Sequence, residues 1–248
     1  MSKPYLLFDA GGVLLFPDGT LIADAAAEVG VEVDVSRAYD AHFEFAYDFD
    51  RRTRNAGEFN AIPGQSYADH LFRSVGAPED QLDALTRALA ELDTDRCLWA
   101  ATQPWVRPAL DELRAAGYGM SVISNSDGRV ALYLERAGLV DCFDTIVDSA
   151  LIGIEKPDPA IFHHALDQVG LKPADALFFG DVYHIDVLGA AQAGIAAVHV
   201  DPLGNYADWP GARIQDLRQA LSWLADREWP EDGQRLLETV CAESDFQR

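Results

Sequence analysis

The sequence predicts an α/β protein: a mostly parallel sheet covered by helices, with a mostly helical block inserted after the first strand. Three observations carry this. Short apolar runs that end in polar or glycine residues recur at 5–8, 120–125, 143–147, 176–179 and 196–200, as buried strands do. From residue 104 onward they alternate with helical patterns, which implies right-handed crossovers and a parallel sheet. The first run is separated from the others by roughly eighty residues of helical pattern, far more than one crossover helix requires, so that block reads as an inserted small domain.

Taken in order, Tyr5-Leu6-Leu7-Phe8 stops at Asp9, and Gly11-Gly12 follow before Val13-Leu14-Leu15. A buried strand that halts at an acid and a glycine turn presents the carboxylate at the C-terminal edge of the sheet, where open α/β folds place their chemistry. The same residues also read as an acid that merely opens a polar turn. Pro17-Asp18-Gly19-Thr20 is a turn, followed by a helix through Leu21, Ala25 and Val29 that halts at Gly30. Phe43, Phe45, Tyr47 and Phe49 alternate as a strand would, yet their surroundings are rich in Ala and poor in β-branched residues, which predicts helix. Asn55-Ala56-Gly57 and Ile62-Pro63-Gly64 read as loops. Helices follow through Tyr67, Leu71 and Phe72 and through Leu82, Leu85, Leu89 and Leu92.

At Pro104-Trp105-Val106-Arg107-Pro108 the character changes. Pro108 is expected as the first helical residue, Leu110 and Leu113 as the buried stripe and Gly117 as the stop. A strand over Met120 to Asn125, a helix over 128–137 that ends at Gly138, and a short strand from Phe143 to Val147 come next. Asp158-Pro159 is a cap and first-turn proline for a helix through Ile161, Phe162, Leu166 and Val169 to Gly170. Ala176 to Phe179 is a strand ending at Gly180-Asp181, a helix over 184–193 stops at Gly194, and Ala196 to Val200 is the last clear strand. Ile214, Leu217, Leu221 and Leu224 have the spacing of an amphipathic helix. Beyond Trp229-Pro230 the chain is polar and reads as one short helix over 236–240 or as disorder. The expected division is therefore 1–16 with 104–228 as the sheet domain, 17–103 as the helical block and 229–248 as a tail.

Composition limits the partners. The 41 acids outnumber the 19 bases to give a net charge of -22, so a nucleic-acid backbone is repelled and no nucleic-acid partner is expected. The same field opposes small anions, so a phosphate site in this chain must be made locally positive by a cation or by backbone N–H groups. No apolar run is long enough to cross a bilayer and no cleavable signal is seen, which predicts a cytoplasmic protein with no membrane partner. Cys97, Cys142 and Cys241 are too widely spaced for a disulfide framework or a metal knuckle.

Four polar signals fall at one end of the predicted sheet: Asp9, Ser124-Asn125, Lys156, and Gly180-Asp181 with Asp186. In this order and strand context the chain resembles the haloacid dehalogenase-like (HAD) hydrolase superfamily, over residues 5–16 and 104–202. Phe8-Asp9-Ala10-Gly11-Gly12-Val13-Leu14 is similar to the nucleophile motif, and Ile123-Ser124-Asn125 to the second. Lys156-Pro157-Asp158-Pro159 with Ile161-Phe162 is similar to the third, and Gly180-Asp181 through Asp186, Gly189-Ala190 and Ala193-Gly194 to the fourth. The resemblance implies a Rossmann-like core and makes the helical block its cap domain.

It further implies that Asp9 attacks a small, phosphorylated substrate and forms an aspartyl intermediate that water hydrolyses. Ser124, Asn125 and Lys156 would bind the phosphoryl group. Mg²⁺ would be held by Asp9, the Gly11 carbonyl and Asp181, with Asp186 as a ligand or an orienter. One departure matters. Phosphatases of the family carry a second acid two residues after the nucleophile, to protonate the leaving group, and Gly11 stands there. A good leaving group, or another acid such as Asp18, would compensate; Asp18 equally reads as a turn residue. Dehalogenases also lack the second acid, but they need no metal and typically lack an acid at the place of Asp181. A phosphonate hydrolase would need a cap lysine, and none occurs between Lys3 and Lys156. A catalytically weak binding protein is the remaining alternative. Arg51, Arg52 and Arg54 are either substrate contacts or a solvated face, and His42, His70 and His184 are open in the same way.

Overall fold

The computed structural model describes residues 3–56 and 66–244. Strand β1, Tyr5–Phe8, comes first. The chain then forms helices α1 (Gly19–Val29), α2 (Ala38–Ala56), α3 (Tyr67–Ser74) and α4 (Leu82–Asp93). It returns with α5 (Val106–Ala115), β2 (Met120–Ser124), α6 (Val130–Arg136), β3 (Thr145–Asp148), α7 (Ser149–Ile152) and α8 (Pro159–Val169). The remainder is β4 (Ala176–Gly180), α9 (Leu188–Gln192), β5 (Ala196–Val200), β6 (Ala212–Ile214), α10 (Ala220–Ala225) and α11 (Glu231–Ser244). The described residues form two compact units, one up to Leu14 and again from Gln103 onward, the other between Leu15 and Thr102.

The first unit is built on a six-stranded parallel sheet in the order β3-β2-β1-β4-β5-β6. Strands β2, β4 and β5 are buried throughout, which is why they read as continuous apolar runs rather than alternating ones. Because β1 lies between β2 and β4, the winding direction changes beside it, and crevices form at such switch points. The register fixes what gathers there. Phe8 pairs with Val122 on one side and Phe179 on the other, so Asp9, Ser124 and Asp181 all lie one or two residues past the same line.

The second unit buries an aliphatic core that includes Leu21, Ile22, Leu71, Phe72, Leu85 and Leu89. Its helices start and stop by local chemistry. Asp18 accepts from the N–H groups of Thr20 and Leu21 at 2.8 and 3.4 Å, and a capping box joins Ser66 to Asp69. The alternating aromatics lie in α2. In a helix, residues two apart point to different sides: Phe43 packs on Phe16 and Tyr39, whereas Phe45 meets Tyr67 and His70. The buried stripe of α2 includes Ala38, His42, Phe43, Ala46, Asp50 and Thr53, which has helical period.

Several expectations are corrected. Helix α5 begins at Val106, so Pro108 sits inside its first turn, where a missing N–H is still harmless. Asn55-Ala56 end α2 rather than form a loop; Gly57 and Ile62-Pro63-Gly64 lie outside the described residues. Ile214 belongs to β6, paired with Val200, and not to a helix; a three-residue edge strand is too short to reveal its period. The helix expected over 184–193 opens with a wide π turn, Tyr183–Val187, before α9. From Trp229 onward the chain carries α11, much longer than the short helix expected, packed against β5 and α9.

Candidate active site

Five side chains converge at the C-terminal edge of β2, β1 and β4, all of them in the first unit. Asp9 continues the ladder by donating its N–H to the Phe179 carbonyl at 2.8 Å, and its Oδ1 accepts the Ala10 N–H at 2.7 Å. The chain can turn away at once because Gly12 takes a left-handed φ of 70°, which costs a glycine little. The ammonium of Lys156 lies 2.7 Å from Asp9 Oδ1 and 2.7 Å from Asp186 Oδ1. Asp186 Oδ2 accepts the N–H groups of Asp181 and Val182 at 3.1 and 3.0 Å, which folds the wide turn back on itself. Gly180 makes that possible: a Cβ there would lie 2.3 Å from the Cβ of Asp186.

Ser124 ends β2 and is 5% exposed, and its hydroxyl has no hydrogen-bond partner among the described residues. Asn125, expected among the residues that bind the phosphoryl group, directs its amide to Lys156. Its Oδ1 accepts the Lys156 N–H at 2.7 Å and its Nδ2 donates to the Lys156 carbonyl at 2.9 Å, so both ends of the amide hold the lysine's main chain. Asp18 caps α1 with its carboxylate, and Arg51 and Arg52 both bind Asp48, at 2.8 and 2.7 Å, on an exposed face. His42 is buried beside Trp99 and Tyr67, and the His70 ring lies 3.1 Å from the Ala41 carbonyl. His184 is buried in the π turn between Asp181 and Asp186.

The electrostatics are unusual for so acidic a chain. Carboxylate oxygens of Asp9, Asp181 and Asp186 lie within 4.8 Å of one another, and all three residues are buried. Burial pushes the Asp9 carboxyl well above the ordinary carboxylate range; Lys156 pulls it down, while Asp186 and Asp181 push it further up. Asp186 is raised for the same reasons, burial first. Burial would lower the Lys156 ammonium, but Asp186 and Asp9 outweigh it and hold it above its usual value. Three buried acids therefore crowd together, two of them bridged by one ammonium, and gathering like charges in a buried site is costly. A hard divalent cation fits the donor set, which is all oxygen. Asp186 already spends both oxygens on Lys156 and two N–H groups, so it is better placed to orient this edge than to ligate.

Two residues with clear work near the site lie outside the sequence motifs. Asp148 accepts from the N–H groups of Gly128, Val130 and Ala150 at 3.0, 3.1 and 3.1 Å, tying down the loop that follows Ser124-Asn125. His199 bonds the Asp181 main chain. Its signal was one polar residue inside the apolar run Ala196 to Val200.

Comparison with known proteins bears on this geometry. The family model described as haloacid dehalogenase-like hydrolase matches residues 5–194. The chain is 30% identical over 214 residues to a glyceraldehyde 3-phosphate phosphatase of Methanopyrus kandleri, covering 82% of this chain and 85% of that one. Among solved structures it is similar to an HAD phosphatase from Thermococcus onnurineus, with a TM-score of 0.53 and 22% identity over 91% of this chain and 98% of that one. It is equally similar to a 2-haloacid dehalogenase from Pseudomonas syringae, with a TM-score of 0.53 and 24% identity over 91% and 99%. Likeness at this level establishes the fold and leaves the chemistry to the residues.

Proposed function

Because the chain belongs to the haloacid dehalogenase-like hydrolases, we propose that it is a Mg²⁺-dependent phosphatase. Its substrate is a small phosphorylated metabolite whose leaving group departs without help from a protein acid. The observation that carries this reading is the buried set of three carboxylates within 4.8 Å of one another, two of them bridged by one ammonium, an all-oxygen donor set that suits a hard cation. Asp9 and Asp181 are the residues that would hold it, together with the Gly11 carbonyl, and Asp186 would orient them. When bound, Mg²⁺ supplies positive charge that offsets the anionic phosphoryl group.

The residues divide the work. An oxygen of Asp9 attacks phosphorus, the P–O bond to the leaving group breaks, and water then attacks the phosphorus of the aspartyl phosphate to release inorganic phosphate and free Asp9. Lys156 favours the ionised form of Asp9 against the burial that raises its carboxyl and meets the negative charge that develops. Asn125 acts through Lys156, fixing the main chain from which the ammonium reaches. The Ser124 hydroxyl donates to a phosphoryl oxygen. With Gly11 in place of the second acid, alkyl phosphates lose general-acid help worth about 10²- to 10⁴-fold, so an acyl phosphate or a substrate of similar leaving ability is preferred.

Gly11 also favours a second reading, a haloacid dehalogenase, because a halide leaves unprotonated. The presence of Asp181 and Asp186 beside Asp9 weighs against it, since a metal-free displacement does not need this acidic set. One assay separates the two. With p-nitrophenyl phosphate, acetyl phosphate and L-2-chloropropionate, phosphate release is expected with Mg²⁺, absent with EDTA and lost in Asp9→Asn. Chloride release that survives EDTA would replace the phosphatase by the dehalogenase.

A further inference from the structure

The second candidate ligand, Asp181, is held from behind by a residue that lies outside the four motifs. We propose that His199 is a positioning residue for the cation site, through one hydrogen bond to the main chain of Asp181. The inference rests on the phosphatase reading above, in which Asp181 is a ligand.

His199 lies in β5, opposite Gly180 of β4, and is 1% exposed. An imidazole removed from water costs free energy unless its nitrogens find partners. Among the described residues it has one such bond: the Nε2 lies 2.7 Å from the Asp181 carbonyl oxygen, while Nδ1 is buried with no hydrogen-bond partner. A carbonyl only accepts, so Nε2 carries the proton. A strand whose other members are Ala196, Ala197, Val198 and Val200 would pack at least as well with an apolar residue there. The imidazole is a local conflict of the kind that marks functional positions.

The bond has a counterpart on the other side of the same peptide group. The Val182 N–H donates to Asp186 Oδ2 at 3.0 Å, so the Asp181–Val182 peptide is gripped at its oxygen by His199 and at its nitrogen by Asp186. The preceding peptide is held too, because the Asp181 N–H donates to the same Asp186 Oδ2 at 3.1 Å. With the planes on both sides of Asp181 fixed, its Cα–Cβ direction is fixed as well, and so is the starting point of its carboxylate. The ring cannot swivel away. It stands edge-on to Tyr206, with centroids 4.2 Å apart and planes at 89°, and to Tyr183 at 5.7 Å and 78°. Tyr206 is in turn set by Asp201, which accepts the N–H groups of Asn205 and Tyr206 at 3.0 and 3.1 Å. Groups bonded to a ligating side chain change metal affinity by about 10- to 100-fold when removed, and a grip on the ligand's main chain is expected at the lower end of that range.

The test uses the full chain, purified free of metal, with Mg²⁺ titrated by calorimetry and no substrate present. His199→Gln keeps an N–H near the place of Nε2, and His199→Met is nearly its isostere without the donor. The expected result is a Mg²⁺ dissociation constant raised about tenfold or more in His199→Met and within about threefold of wild type in His199→Gln. A folded His199→Met with wild-type affinity overturns the inference. If wild type binds Mg²⁺ and Asp181→Asn weakens it, that failure belongs to His199 alone; if wild type binds no Mg²⁺, the reading of the site fails and the inference falls with it. Should the methionine variant not fold, nitrogen-15 NMR of wild-type side chains decides. The His199 signal, assigned by its loss in His199→Gln, is expected as the Nε2–H tautomer and to shift on adding Mg²⁺. An Nδ1–H tautomer, or a signal blind to Mg²⁺, overturns the proposal.

Discussion

The C-terminal edge of the sheet and the ion pairs of the helical unit treat charge in opposite ways. At the C-terminal edge of the sheet, Asp9, Lys156, Asp181 and Asp186 are all buried, and Lys156 bridges two of the acids at 2.7 Å each. In the helical unit, Asp48 meets Arg51 and Arg52, Arg73 meets Glu79, and Arg96 meets Asp24, each pair open to solvent. That unit is held by aliphatic and aromatic packing around Leu71 and Phe72. The difference teaches where free energy is committed to something other than stability. A buried cluster of like charges weakens a fold and persists where it has a task, whereas exposed pairs cost little and contribute little.

The sharpest way to break this contrast is Lys156→Met. It strands Asp9 and Asp186 without their cation and is expected to destabilise the sheet unit by about 3–5 kcal/mol in urea unfolding; a change below about 1 kcal/mol would show that the cluster is not under the stress described. In the helical unit the largest loss should come from packing instead. Leu71→Ala is expected to cost about 2–5 kcal/mol by the cavity it leaves, again by urea unfolding. Gly11→Asp adds a fourth acid to the crowded edge at a position where Gly12 already supplies the left-handed turn. It is expected to raise hydrolysis of an alkyl phosphate relative to acetyl phosphate by about a hundredfold or more, read as a ratio of kcat/KM values. Arg52→Ala should change stability by less than about 0.5 kcal/mol.

A smaller effect follows from His70. Burial holds its imidazole below the ordinary 6.5, with the Ala41 carbonyl pulling the other way. The unfolded chain therefore takes up the proton first as pH falls, so the histidine's contribution is present above about 6.5 and is lost as pH drops through the lowered value. Thermal melting of wild type between pH 7.5 and 5.5 should show that decline, and His70→Gln should flatten it.

Much of this was legible in the sequence, for particular reasons. Strands buried on both faces announce themselves as apolar runs, and the acids or glycines that end them mark one edge, so Asp9, Ser124 and Asp181 could be placed together before their contacts were known. The helix of Phe43 to Phe49 was readable from composition against its own alternation. Other features depend on which atoms meet. Nothing in the order of residues says that Asn125 turns its amide to Lys156, that Asp186 folds back onto two N–H groups, or that Ile214 pairs with Val200. His199 was hidden because a lone histidine in an apolar strand has no spacing to match, and its partner is a main-chain carbonyl that any residue could present.

The central claim is that Asp9 is a nucleophile that forms an aspartyl phosphate. Acid-quenching the protein during turnover of acetyl phosphate with Mg²⁺, reducing with borohydride and sequencing the N-terminal peptide tests it directly. Homoserine at position 9, absent without Mg²⁺ and absent in Asp9→Asn, is the predicted result. Steady turnover with position 9 unmodified, or modification at any other residue, would contradict the account.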